Sequence, residues 1–273
     1  MVINNYLSCL ILSCDKFSDL WSGNIQMFNK NWPNRDFQTY LVTDRPTNRK
    51  FDGVEIISAG EGVEWSDRLR LALDKVQTKY VFVTLDDYYL NKKVDENQIS
   101  NLIELMESQS VDYIKLFLNK RTSIKEAIEG YNKIYRLDTK IEYSVNLYPA
   151  IWKVDFMKAC IGDPKSAWQF EVGLSDSALN YGAKCYVSLN DEYKFLDVVR
   201  KGKLLRSAAT YFKKNPGIYD GNRPVNSIWF VLLFQIQVLV RNCIPTPLVP
   251  YVMRFLSLFG FKFYSKGGTN LNK

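Results

Sequence analysis

The sequence predicts an α/β layered domain on a mostly parallel sheet, with amphipathic helices toward its carboxyl end. Strand-length apolar runs alternate with segments of helical period. Several of those runs are apolar at successive positions, the pattern of strands covered by helices on both faces. Acids recur where the runs stop. With 273 residues, 47% of them hydrophobic, the chain suffices for one large domain and an appendage.

The first run, Leu7 to Ser13, ends at Cys14-Asp15-Lys16. Ser18 is placed to cap a helix on which Trp21, Ile25, Phe28 and Trp32 recur until Pro33. Phe37 to Val42 reads as a second strand closed by Thr43-Asp44, and Val54 to Ser58 as a third closed by Gly60-Glu61-Gly62. Ser66 is placed to cap a helix carrying Leu69, Leu73, Val76 and Tyr80 on one face. Tyr80 to Leu85 is the fourth strand, and it runs into Asp86-Asp87. A helix through Ile99, Leu102, Ile103 and Met106 and a strand over Val111 to Leu118 follow. The polar stretch Asn119 to Lys140 reads as a loop with a short helix near Ile124 to Ile128. Tyr143 to Trp152 reads as a strand interrupted by Pro149. Two helices, Lys153 to Ile161 and Trp168 to Asn180, flank the turn Asp163-Pro164, and Lys184 to Ser188 is a last strand.

Composition narrows the chemistry. The chain has no histidine, which excludes Ser-His-Asp and Cys-His nucleophilic sites and points to a carboxylate as any general base. A metal held by oxygen ligands is then Mg²⁺ or Mn²⁺ rather than Zn²⁺. Five scattered cysteines form no C-x-x-C pair and suit a reducing cytosol. Asn4 and Asn5 lead straight into the first strand, so no secretory signal is expected. From Arg200 to Lys273 twelve Lys and Arg face the single acid Asp220, a net +11, leaving −4 on residues 1–199. The expected division is therefore a catalytic domain over 1–200 and a basic, aromatic-rich helical tail over 201–273.

In layered α/β folds the binding crevice lies beyond the carboxyl ends of the strands. Asp15, Asp44, Asp86 and Asp87 all fall there. The Asp pair reads either as a solvated turn or as a cation site. The apolar continuation Tyr88-Tyr89-Leu90 favours the cation, because an unanswered charge in that setting is costly. Mg²⁺ takes one or two carboxylates and completes its shell with phosphate and water. Asp15 and Asp44 can accept hydrogen bonds from a base or ribose, or serve as loop and cap residues. Ser66 and Arg68, at a helix start after Gly60-Glu61-Gly62, suit a diphosphate or are ordinary cap and surface residues. That loop matches neither a Walker A nor a dinucleotide fingerprint, which disfavours kinase and dehydrogenase readings. Glu171, within Trp168-Gln-Phe-Glu171, is the candidate general base, and Asp176 is the alternative.

Taken together, Ser13-Cys14-Asp15, Asp44, the Trp65 to Arg68 helix start, the apolar run into Asp86-Asp87 and the later Trp168-x-Phe170-Glu171 resemble bacterial GT-A glycosyltransferases. The likeness is to the family-2-like type that builds O-antigen, capsule and other surface polysaccharide, over residues 6 to 200. It implies a Rossmann-like nucleotide half, a nucleotide-sugar donor with UDP-sugars favoured, and Mg²⁺ or Mn²⁺. By position it implies Asp44 at the nucleobase, Arg68 at the donor, Asp87 at the metal and Glu171 deprotonating the acceptor hydroxyl. Asp86 is expected at the ribose or a metal-bound water. The family's Asp-x-Asp spacing is absent, since Tyr88 follows the pair.

The tail reads as a membrane-interface segment. Val225 to Val240 and Tyr251 to Tyr264 are separated by Pro245, Pro247 and Pro250, and neither offers the roughly 20 apolar residues of a spanning helix. Packing on the domain as core is the other reading. Phenylalanines and tryptophans interleaved with Arg241, Arg254, Lys262 and Lys266 suit anionic lipid on the inner face of the cell membrane. A glycan or glycolipid acceptor is expected there, and no nucleic acid, since no binding motif accompanies the charge. Two rivals to the glycosyltransferase are an inactive α/β peripheral membrane scaffold and a sugar nucleotidyltransferase. The latter lacks its Gly-rich, cationic N-terminal loop.

Overall fold

Side chains alternate faces along a strand, so an all-apolar strand needs a layer on both sides. The computed structural model, which describes residues 5–35, 37–117, 123–163, 165–190, 193–229 and 251, has that three-layer arrangement. β1 (Leu7–Leu12) is buried along its whole length. Leu10 and Leu12 enter one core with Val81, Val83 and Trp152; Leu7, Cys9 and Ile11 enter the other with Phe82, Ile114 and Ile151.

β1, β2 (Thr39–Thr43), β3 (Glu55–Ser58) and β4 (Tyr80–Leu85) form a parallel half, with β1 between β2 and β4. After β5 (Tyr88–Leu90) come β6 (Tyr113–Lys115), β7 (Ile124–Ala127), β8 (Ile134–Leu137), β9 (Ala150–Lys153), β10 (Cys185–Ser188) and β11 (Phe195–Asp197). The nine-stranded sheet runs β3-β2-β1-β4-β9-β6-β10-β8-β7. β9 and β8 oppose the other seven strands, so the sheet is mostly parallel. β5 and β11 form a separate antiparallel ribbon.

The helices are α1 (Ser18–Asn31), α2 (Trp65–Lys75), α3 (Glu96–Gln109), α4 (Val154–Ile161), α5 (Ala167–Tyr181) and α6 (Arg206–Lys214). Trp21, Ile25 and Phe28 of α1 and Ile99, Leu102 and Met106 of α3 bury against one face. α2, α4 and α5 cover the other through Leu69, Leu73, Phe156, Phe170 and Leu174. α5 opens with a capping box in which Ser166 and Gln169 satisfy each other's backbone N–H groups, and it closes at Gly182 in the left-handed region.

Several expectations need correction. The short helix near Ile124 to Ile128 is instead strand β7, paired antiparallel with β8. Burial of Ile134 and Leu137 fixes β8 beside β10, and the hairpin overrides the helical propensity of Lys125-Glu126-Ala127. The strand over Tyr143 to Trp152 begins only at Ala150, after Pro149, whose carbonyl accepts from Leu116 N–H. The strand over Val111 to Leu118 is confined to Tyr113–Lys115. Neither predicted serine cap forms: Phe17 and Glu64 hold those positions without side-chain capping bonds.

Met1–Val199 and Ser207–Asn222 group as one compact unit, and Arg200–Arg206 with Arg223–Lys273 as a second. Within the first, Phe212 of α6 packs on Tyr89 with ring centroids 5.6 Å apart, and Tyr219 donates to Asp19 Oδ2 at 3.0 Å. Most of the tail expected at the membrane, 230–250 and 252–273, lies outside the described residues. Among the described residues no helix is long and apolar enough to cross a membrane.

Candidate active site

β1 lies between β2 and β4 although the chain reaches them in opposite directions, so a crevice opens beyond its carboxyl end. The predicted acids gather there. Asp15 N–H donates to Asp44 Oδ1 at 2.6 Å, and Thr43 Oγ1 donates to the same oxygen at 3.3 Å. Arg68 Nη1 donates to the Ser13 carbonyl at 3.1 Å and stands 4.0 Å from Asp44 Oδ1. Burial opposes the charge on Asp44, but the backbone N–H groups of Asp15 and Asp44, then Arg68 and Thr43, hold its carboxyl below the usual range.

The Asp pair divides, as strand geometry requires. Asp86 is buried at 7% exposure, and its Oδ2 accepts from the Ser13 hydroxyl, which accepts from Trp21 Nε1 at 2.6 Å. Asn24 Nδ2 clamps the same turn by donating to the carbonyls of Asp86 at 3.1 Å and Tyr88 at 3.0 Å. Asp87 is half-buried, and its carbonyl accepts from Val198 N–H at 2.9 Å.

Ser66 is fully buried, and its Oγ accepts from Lys165 N–H at 2.8 Å, tying the start of α2 to the approach of α5. It thus sets the position of Arg68 instead of facing the crevice. Glu171 is half-buried on α5, with Oε1 accepting from Leu147 N–H at 3.3 Å. Asp176 is exposed and, five residues on, falls roughly 140° farther around the helix.

Tyr88 links the two sides. Burial first, then Tyr148 and the carboxylates of Asp87, Asp197 and Glu171, keep its hydroxyl protonated far above its usual range. Its ring contacts Phe117 and Tyr148, both at 5.4 Å between centroids. Asp197 escaped the sequence reading. It enters because β11 pairs with β5 in a register that sets Asp197 opposite Tyr88. The only local signal was an acid inside the apolar run Phe195 to Val199.

The donor set bears on a metal. Among the described residues no group of three or more Asp, Glu or Cys could hold an ion. One or two carboxylates suit Mg²⁺ or Mn²⁺ arriving with a diphosphate, whose oxygens complete the shell. Asp87, with Asp197 opposite the adjoining Tyr88, supplies carboxylates in that number. Concavities of about 290 Å³ between α3 and the β7–β8 turn, and of about 550 Å³ beside Arg35, include none of these acids.

The architecture is of the GT-A type. It is similar to that of S. aureus TarS, with a TM-score of 0.50 and 12% identity over 86% of this chain and 42% of that one. A UDP-glucose pyrophosphorylase complexed with UDP-glucose aligns at a TM-score of 0.45 and 8% identity, over 70% of this chain and 93% of that one. The bifunctional IspDF of Campylobacter jejuni aligns at 0.43 and 16%, over 70% and 52%. The chain spans about two fifths of the length of TarS. No family model matches the chain, and no curated protein matches it by sequence.

Proposed function

We propose that the protein is an inverting glycosyltransferase that moves a sugar from a nucleotide-diphosphate donor, a UDP-sugar in the first instance, to a hydroxyl of a glycan or glycolipid. The observation that carries this reading is that Tyr88, next to Asp87 and opposite Asp197, packs its ring on Tyr148, whose neighbour Leu147 donates its N–H to Glu171. This connectivity supports reading Asp87 with Asp197 as metal-side carboxylates and Glu171 as the base of one site. Asp44 and Asp15 receive the base and ribose, while Arg68 faces the donor. Asp86, anchored by Ser13, meets the ribose edge. Asp87, with Asp197, would hold Mg²⁺ or Mn²⁺, which when bound would supply charge neutralisation of the diphosphate.

Glu171 takes the proton of the acceptor hydroxyl as its oxygen bonds the anomeric carbon. The bond from that carbon to the diphosphate oxygen breaks, and its electron pair leaves with the nucleotide. Asp176, exposed and roughly 140° farther around α5, is the alternative base. A nucleotidyltransferase would cradle a triphosphate in a cationic first loop, whereas the turn after β1 carries Asp15 and the single cation Lys16.

Calorimetric titration of UDP and GDP with and without Mn²⁺ tests the reading. UDP binding that strengthens with Mn²⁺ is expected, and Asp87→Ala abolishes that strengthening. Failure of both nucleotides to bind under any condition would sink the enzyme assignment.

The +11 charge of the tail supports docking on the inner face of the cell membrane, where a lipid-linked acceptor resides. Liposome flotation checks this, because the full chain should float with anionic vesicles and a chain ending at Asn222 should not. Equal flotation of both removes the membrane role.

A further inference from the structure

Lys115 is a lysine with 0% exposure whose Nζ makes no hydrogen bond among the described residues. An ammonium in that setting is costly, and a methionine would fill the same space without the penalty. The position therefore calls for a use of the charge. Lys115 closes β6 at the carboxyl end of the sheet, level with Ala150 of β9 and Val187 of β10, neither of which can answer it. Strand alternation sets it on the face of Tyr113, the face covered by α5.

Over that face the Val145 to Leu147 segment is laced to both layers. Val145 N–H donates to Ser175 Oγ at 3.4 Å, Tyr113 donates to the Asn146 carbonyl at 3.2 Å, and Leu147 N–H donates to Glu171 Oε1 at 3.3 Å. We propose that Lys115 is a positioning residue for Glu171, a buried counter-charge beneath the carboxylate that fixes its ionisation and aim while Leu147 N–H holds one oxygen. This rests on the reading of Glu171 as the base.

Burial pushes the Lys115 ammonium down to about 7, and the charge of Glu171 opposes that fall. The other titratable groups that bear on it are not charged near neutrality. Burial keeps the Cys185 thiol of β10 protonated, with Asp112 adding to the effect, and burial does the same for the Tyr113 hydroxyl. Glu171 is thus the anion that answers Lys115, and the pairing operates on the acid side of about pH 7.

The test has two arms. In the first, UDP release from UDP-glucose and from UDP-N-acetylglucosamine with Mn²⁺ is followed against pH for wild type and Lys115→Met. The variant should lose about tenfold in kcat with donor KM little changed, and the acid limb of its profile should move up by about one pH unit. A profile and kcat equal to wild type overturn the proposal while leaving the function intact.

In the second arm, NMR of the lysine side-chain carbons follows Lys115 itself, assigned by its loss in Lys115→Met. It should titrate at about 7 in wild type and lower in Glu171→Gln. An unmoved titration overturns the pairing. If wild type releases no UDP, the proposed function falls, and the NMR arm alone decides whether the pair exists.

Discussion

On the β1 and β4 side of the crevice, Asp86 accepts from Ser13, Asp44 accepts from Asp15 N–H, and Arg68 donates to the Ser13 carbonyl. On the β6 and α5 side, the fully buried ammonium of Lys115 makes no hydrogen bond among the described residues. The first side is a polar network joined through Ser13, of the kind that rigidifies a loop, although Arg68 Nε and Asn24 Oδ1 are buried in it without a hydrogen bond among the described residues. The second carries a charge whose desolvation is unanswered by a hydrogen bond. Hydrogen bonding holds the first side together, and the second is the side on which the proposed base, Glu171, sits. Catalytic groups with perturbed ionisation collect where stability is sacrificed in this way.

The sharpest way to break the contrast is Glu171→Gln. Gln keeps an acceptor for Leu147 N–H, so above about pH 7, where Lys115 is uncharged, melting should move little while turnover falls about 10²- to 10⁴-fold. Steady-state kinetics and a thermal melt on the same sample check both halves.

Lys115→Met comes next and should act in the opposite sense on stability. The folded lysine titrates at about 7 against a reference value of 10.5, so between those pH values the unfolded chain binds a proton that the folded chain does not. Wild-type stability therefore rises with pH through that window and is flat below it. The variant should be more stable by about 4 kcal/mol at pH 7, with the gap closing toward pH 10.5. Urea unfolding at pH 7 and pH 10 measures it. A gap that does not change with pH would mean that the lysine is not the titrating group.

The smallest effect belongs to the paired side. Ser13→Ala strips a donor from the buried Asp86 carboxylate and an acceptor from the Trp21 indole, and should cost about 2 kcal/mol in urea unfolding at every pH near neutrality. A cost that vanishes would show that water replaces the hydroxyl.

The parallel half of the sheet was legible because its signals are local. The continuous apolar runs over Leu7 to Ser13 and Tyr80 to Leu85 demand cover on both faces, and the structure ends the first at Leu12 and bounds the second at the same residues. Acids that follow such runs fall at the carboxyl edge whatever else the chain does, so Asp15, Asp44 and Asp86-Asp87 converge. The mixed half was less legible. The short strands β7 and β8 carry no strong alternation, and their pairing depends on partners distant in sequence. Caps were misread because Ser18 and Ser66 have the right chemistry one or two positions too late.

What the sequence by itself determined is the class of fold, the acidic character of the crevice and the exclusion of histidine chemistry, because composition and periodicity survive any rearrangement of the chain. Only the tertiary structure decided that Ser66 ties down a loop, that Asp197 faces Tyr88, and that a lysine at the end of an apolar strand is fully buried on the face that α5 covers. Those are relations between residues dozens of positions apart. Strand register and helix docking set them, and neither is written in the spacing of neighbouring residues.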